Sequence, residues 1–348
     1  MNLLKQLSET PGVSGREERV RALIEKELAG VVDELTVDAM GNLTALKRST
    51  KDGAPRAMIA AHMDEIGFYV RHIDDRGFVR VQKVGGFDPR NLFARQVTIH
   101  ASKSDEELIG VMNPGGKPIH ISTPEERKKV PDLDAFYVDL GLSGDDVRAK
   151  VRVGDMITLN QQFIDLGEVV TGKALDDRSG CWILIQTLKR LKDPVFEVHA
   201  VFTVQEEVGL RGARTGAFGV EPDVGIALDT TLAVDTPDIA EHYRVTQLGK
   251  GVGLKVMDGS AISTRWLLDE FIDLAERHEL PYQLEVLPLG GTDAGAIQQI
   301  RSGVPAITLS TPSRYVHSVT EMVAKSDLDA EVSLLTAFLQ EGAARLAS

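Results

Sequence analysis

The sequence predicts an α/β fold: a mostly parallel sheet flanked by helices, with a β-rich domain inserted into it. Three observations predict it. Short continuous apolar runs, such as Ala57-Met58-Ile59-Ala60-Ala61, read as strands buried on both faces, the parallel-sheet type. Such runs alternate with segments of helical spacing over most of the chain. Between residues 67 and 166 the texture changes to period-two alternation broken by turns, the mark of hairpins.

In chain order, the start reads as helices. Ser14-Gly15-Arg16-Glu17 matches a capping box ahead of Val20, Leu23, Ile24 and Leu28. Strands are predicted over 34–37 and 43–47, with Gly41-Asn42 in the turn between them. The buried strand 57–61 follows. Hairpins are predicted from 68–73 with 78–81 and from 96–101 with 108–112. Residues 113–131, rich in Pro, Gly and charge, read as an exposed loop. Residues 154–159 close the insert. Helices are then predicted over 179–191, 265–278, 294–300 and 328–347, and strands over 197–204, 223–228, 283–287 and 305–309. The predicted division is a discontinuous catalytic domain, 1–66 with 167–348, around an inserted domain, 67–166.

Composition narrows the function. The 348 residues are 43% hydrophobic and 26% charged, an ordinary globular mix. No apolar run reaches the roughly 18 residues of a membrane helix, and the N-terminus turns polar too soon for a signal peptide. These features predict a cytoplasmic protein without a membrane partner. The net charge of −13 argues against nucleic acid as a partner. A single cysteine, Cys181, excludes an intrachain disulfide and any Cys-rich metal site.

Several motifs are missing. No His-Glu-x-x-His occurs, and Gly141-Leu142-Ser143-Gly144 has the wrong spacing for a nucleophile elbow. Gly249-Lys250-Gly251-Val252-Gly253 lacks the spacing and context of a nucleotide loop.

The informative residues follow the buried strands, where open α/β sheets bind ligands. His62 and Asp64 follow the first run, Glu206-Glu207 the second, Asp229 the third, and His317 lies just beyond the fourth. Asp176-Asp177 lead into the helix near Ser179. Each alone reads more often as a structural histidine, a helix cap, a turn former or a solvated charge than as a ligand. Together, acids converging on one crevice repel and need a counter-charge, which a divalent metal cluster supplies. Carboxylates with imidazoles and no thiolate suit zinc, cobalt or manganese. Five ligands exceed one tetrahedral site and suit two metals sharing a carboxylate and a water.

The ordered motifs Ala61-His62-Met63-Asp64-Glu65-Ile66-Gly67, Lys173-Ala174-Leu175-Asp176-Asp177-Arg178, Glu206-Glu207-Val208-Gly209, Ala227-Leu228-Asp229 and Tyr315-Val316-His317-Ser318 resemble those of a known family. This is the tetrahedral, self-compartmentalising dinuclear metallo-aminopeptidases, the glutamyl aminopeptidase family, some of whose members have carried the name endoglucanase M. The resemblance spans essentially the whole chain. It implies a dinuclear zinc exopeptidase-like fold and removal of N-terminal residues from peptides with a free N-terminus. Asp176, rather than Asp177, would bridge two divalent ions, zinc foremost, with cobalt or manganese as alternatives. His62 and Asp229 would complete one ion's ligands, and Glu207 and His317 the other's. Glu206 would be the general base and Asp64 would hold His62 through its second ring nitrogen. The bridging Asp would precede a non-proline cis peptide. The resemblance also implies self-association through the insert into dimers and a hollow dodecamer.

Gly290-Gly291-Thr292-Asp293 opens a helix. Its backbone N–H groups are candidates for binding substrate or an oxyanion, the alternative being a glycine turn with Thr292 or Asp293 as helix cap. Three rival functions remain. A non-enzymatic assembly or binding module would predict losses among the ligand positions, and none is lost. A deacylase or amidase on the same catalytic fold would need a positioned Arg or Lys for a substrate carboxylate. A glycosidase would use Glu206 and Glu207 without metal, but neighbours at a strand end point to opposite faces.

Overall fold

Strand Arg56–His62 is buried along nearly its whole length and lies inside an eleven-stranded sheet. The computed structural model describes residues 1–342. Arg56–His62 pairs in parallel with Glu197–Thr203 on one side and Val224–Leu232 on the other, and Val224–Leu232 pairs in parallel with Ala306–Arg314. The C-terminal ends of these four strands therefore share one edge. The flanks are antiparallel. Glu34–Val37 and Leu43–Lys47 form one edge, and Glu321–Ala324, Val169–Gly172 and Ile164–Asp165 the other. Val252–Met257 pairs with Ala306–Arg314 and, in parallel, with Tyr282–Val286.

Period-two alternation explains the two layers of core. Ala57, Ile59 and Ala61 face helices Leu175–Arg190, Arg265–Arg277 and Lys325–Glu341, in one apolar cluster with Phe196, Phe271 and Phe338. Met58 and Ala60 face helices Arg211–Val220 and Asp293–Gln298 on the opposite side. Covering both faces is what lets these strands be apolar throughout.

The segment 67–159 forms a separate closed barrel. Its six strands run Gly67–Ile73, Val79–Val84, Phe136–Asp139, Glu106–Pro114, Arg95–Ala101 and Met156–Leu159 around the closure. Phe68, Val79, Val97, Ile99, Met112 and Ile157 fill it.

Most predicted elements are present within a few residues, but local chemistry overrides some. The capping box does not form: helix Glu18–Leu28 has no side-chain cap, because Ser14 Oγ donates to Asp64 Oδ2 at 2.5 Å and Glu17 accepts from the amide of Gln205 at 3.1 Å. The exposed loop 113–131 carries a four-residue helix, Pro124–Arg127, with the capping box Thr123–Glu126. Helices Gly144–Lys150 and Arg211–Val220 and the short strands Phe136–Asp139 and Glu321–Ala324 were not predicted; they are too short or too Gly- and Ala-rich to show a clear period. The last predicted helix is Lys325–Glu341, and positions 343–347 of that prediction lie outside the described residues. Among the described residues no helix is long and apolar enough to cross a membrane.

The N-terminal segment is tied to the strand edge by buried charge. Lys173 Nζ donates to both oxygens of Glu65, at 2.8 and 2.7 Å, and Glu65 accepts from the amide of Gly12 at 3.1 Å. Arg178, fully buried, donates to the carbonyls of Met63 at 2.7 Å and Thr10 at 2.8 Å. Removing one partner strands the other charge without water. Glu65→Ala should cost about 3–5 kcal/mol, and replacing Lys173 and Glu65 together by Met should recover most of it. Urea unfolding of the two variants checks this.

Candidate metal centre

The parallel strands deliver their C-terminal residues to one crevice. His62 ends Arg56–His62, Asp229 lies in Val224–Leu232, Glu206 and Glu207 follow Glu197–Thr203, and His317 follows Ala306–Arg314. Asp176 enters from the start of Leu175–Arg190. His62 Nε2 lies 3.3 Å from Asp176 Oδ1 and 4.0 Å from Asp229 Oδ1. His317 Nε2 lies 3.5 Å from Asp176 Oδ2 and 3.4 Å from Glu207 Oε2. Two donor sets thus meet at Asp176, His62–Asp176–Asp229 and Asp176–Glu207–His317, each with its ligand atoms within 4.8 Å of one another. Glu206 Oε2 stands 3.9 Å from His62 Nε2.

Glu206 and Glu207 do not alternate as strand neighbours would. The strand has ended by Thr203, and Gln205 takes a left-handed backbone (φ 56°). Both carboxylates therefore turn to the same centre, with ligand atoms within 4.8 Å of His62. The expectation that they point to opposite faces is corrected by this turn.

Carboxylates outside the two sets hold the ligands' backbone. Asp177 is fully buried; Oδ2 accepts from the amide of His62 at 3.1 Å and Oδ1 from that of Gly180 at 3.0 Å. Both Asp177 oxygens are thus engaged by backbone amides, whereas Asp176 Oδ1, 3.3 Å from His62 Nε2, is buried without a hydrogen bond among the described residues. The peptide between them is cis. Asp64 acts mainly on the other side of the site, accepting from the amides of Glu206 at 3.0 Å and Glu207 at 3.2 Å. Its carboxylate is 3.5 Å from His62 Nδ1, while its own carbonyl lies closer, at 3.0 Å.

Three contributors were not read from the sequence. Glu321 accepts from the amide of Asp176 at 3.0 Å and from that of His317 at 2.9 Å, so one carboxylate fixes a ligand of each set. Its signal is weak: an acid four residues after a histidine in a polar stretch. Gly85 and Gly86 come from the barrel. A Cβ at Gly85 would lie 3.1 Å from Glu207 Oε2, and one at Gly86 3.0 Å from His317 Nδ1. The barrel backbone therefore passes close to Glu207 and His317, and at Gly85 the Cγ2 of Ile66, 2.5 Å from such a Cβ, leaves the least room.

The Gly290–Asp293 segment divides. Gly290, Gly291 and Thr292 line the cavity of about 890 Å³ that opens on the cluster. Asp293 instead turns inward, accepting from Thr203 Oγ1 at 2.5 Å. Neither Thr292 nor Asp293 caps the six-residue helix through its side chain, and the amide of Thr292 is directed to Ser260 Oγ at 3.3 Å. The expected helix cap is thus not formed, because both side chains are used elsewhere.

Electrostatics show the strain of crowding these groups. Burial pushes Glu206 well above the usual carboxylate range, against the pull of His62, and raises Asp229 likewise with Asp176 beside it. Burial opposes a charged His317, yet Asp176 and Glu207 override it and push it up to about 12. Burial also lifts Glu321 to about 8. Asp176 runs the other way: against burial, the two histidines beside it hold its carboxyl well below the usual range. A cluster in which the other acids are driven neutral and the histidines cationic lacks positive charge. Together with the unpartnered Asp176 oxygen and an all-carboxylate-and-imidazole donor set, this fits divalent metal.

The fold and this cluster define a metal-dependent hydrolase. A family model described as M42 glutamyl aminopeptidase matches residues 41–334. A putative aminopeptidase of Acetivibrio thermocellus is 40% identical over 96% of each chain. An aminopeptidase structure from the archaeon Desulfurococcus kamchatkensis is 37% identical, with a TM-score of 0.92 over 98% of this chain and 94% of that one. The TET1 peptidase of Pyrococcus horikoshii, which can assemble into a tetrahedron or a large octahedral shell, is 34% identical, with a TM-score of 0.86 over 98% and 99%. The chain belongs to the M42 glutamyl aminopeptidase family. It is an aminopeptidase, a hydrolase that removes N-terminal residues from peptides, and neither the deacylase nor the glycosidase reading is favoured.

Glu321→Gln places an NH₂ against one of two backbone N–H donors. The variant should fold but bind zinc about 10–100-fold more weakly, the usual cost of losing a group that orients ligands. Calorimetric zinc titration of chelator-stripped protein checks this.

Proposed function

We propose that this aminopeptidase works through two divalent ions, zinc foremost and cobalt or manganese as alternatives. His62, Asp176 and Asp229 would hold one, and Asp176, Glu207 and His317 the other. The observation that carries this reading is the meeting of two three-residue donor sets at Asp176. When bound, such a metal pair supplies an acidified water and an electrophile for the scissile carbonyl.

The chain's own residues supply the rest. Glu206 is buried beside the cluster and lies outside the two sets that share Asp176, though its carboxylate also stands close to His62 and Glu207; its assigned role is to take the attacking water's proton. The same carboxyl then gives the proton to the leaving amine. Asp64 fixes the turn that carries Glu206 by accepting from its amide. Gly290, Gly291 and Thr292 line the cavity where substrate enters and are assigned to substrate binding. Asp293 supports that wall through Thr203.

Residues 1–66 and 167–348 are assigned to the catalytic domain and 67–166 to a dimerisation domain. Exposed Ile109, Val111, Ile119, Ile121 and Val130 on the barrel and its long loop favour self-association through that face. A hollow dodecamer is the assembly proposed, by likeness to the Pyrococcus horikoshii shells. Peptides small or flexible enough to enter would be the substrates, and the cytoplasm is the proposed location.

Glu206→Gln should retain metal and assembly while lowering turnover of leucyl-p-nitroanilide at least ~100-fold, the scale of a positioned base. Chelator should abolish wild-type activity and added zinc, cobalt or manganese restore it, with no cleavage of N-acetylated substrate. Unchanged turnover in Glu206→Gln would remove Glu206 from the mechanism.

A further inference from the structure

One buried ion pair in the cavity wall is not used by this chemistry. Lys255 lines the cavity and is 2% exposed; its neighbour across the parallel pair, Glu285, is fully buried. Lys255 Nζ donates to Glu285 Oε1, and Thr231 Oγ1 donates to the same oxygen at 2.6 Å. Thr231 stands two residues beyond Asp229 on one strand, which puts the pair beside the metal cluster. Leu232, Val234, Val286, Leu287 and Val316 share the cavity wall.

We propose that Lys255 and Glu285 form a charge-cancelled wall of the pocket for the substrate's N-terminal side chain, so that the enzyme selects a bulky apolar residue there. The inference rests on the aminopeptidase reading of the site. A cationic side chain needs a free acid. Among the cavity-lining residues the acids are Asp176, Glu206, Glu207 and Asp229, all committed to the cluster or the water, and Glu285 behind the wall is committed to Lys255. An acidic side chain needs a free cation. Lys255 is committed, His317 belongs to the cluster, and His242 and Arg244 are exposed to water, where an ion pair is worth at most about fivefold. Each methylene buried against the apolar wall gains roughly fourfold.

The test is kcat/KM of the metal-loaded enzyme for leucyl-, alanyl-, lysyl- and glutamyl-p-nitroanilide, with calorimetric binding of free leucine and free glutamate. The wild type should favour leucyl over alanyl at least about tenfold, since three added carbons compound the gain per methylene, and over lysyl and glutamyl at least about tenfold, since neither charge finds a buried partner. Glu285→Gln removes the cancelling charge at constant shape. The leucyl-to-glutamyl ratio should then fall at least about tenfold, a buried charge without its partner seeking another, and glutamate should bind more tightly. Replacing Lys255 and Glu285 together by Met, a volume-matched apolar pair, should keep leucyl preferred and leucine bound. A wild type that favours lysyl or glutamyl substrate, or a Glu285→Gln ratio that does not move, overturns the inference while the aminopeptidase reading stands. Wild-type cleavage of none of the four overturns both.

Discussion

Carboxylates buried side by side cannot all stay charged without a positive partner, and that constraint organises this molecule. Asp176, Glu206, Glu207 and Asp229 meet at one sheet edge, where burial drives Glu206 and Asp229 toward the neutral acid. The parallel sheet creates the difficulty, since it carries each strand end to the same place. It also makes the arrangement useful, because a metal cation placed where the strands converge would relieve the repulsion.

A second group of acids makes the cluster precise in space. Asp177, Asp64 and Glu321 are buried too, but their oxygens accept from backbone N–H groups rather than facing the crevice. Asp177 and Glu321 fix the backbone of His62, Asp176 and His317; Asp64 fixes that of Glu206 and Glu207. The barrel adds Gly85 and Gly86, whose missing side chains let its backbone reach Glu207 and His317. Crevice, positioning acids and barrel are therefore one construction, and a change in any of them reaches the ligands.

Much of this was legible in the sequence, for physical reasons. A strand buried on both faces is a continuous apolar run, so 57–61 and its counterparts were visible, and the acids and histidines that follow them could be placed at one edge. The choice of Asp176 over Asp177 rests on resemblance to a family; both Asp177 oxygens accept from backbone amides, which supports that choice. What stayed hidden was side-chain allegiance. Ser14 and Glu17 match a capping box but serve Asp64 and Gln205. Glu206 and Glu207 look like strand neighbours until the left-handed backbone of Gln205 turns them together. Glu321 carries no local pattern, because its partners lie 145 and four residues away. Tertiary contacts decide such cases, and spacing along the chain does not encode them.

The metal stoichiometry of the stripped and reloaded protein bears most directly on this picture. Calorimetric titration with zinc, checked by elemental analysis of the gel-filtered product, should give two ions per subunit, and Asp176→Ala should lose both. A single ion per subunit, or full loading of the Asp176→Ala variant, would contradict a shared centre built on that carboxylate.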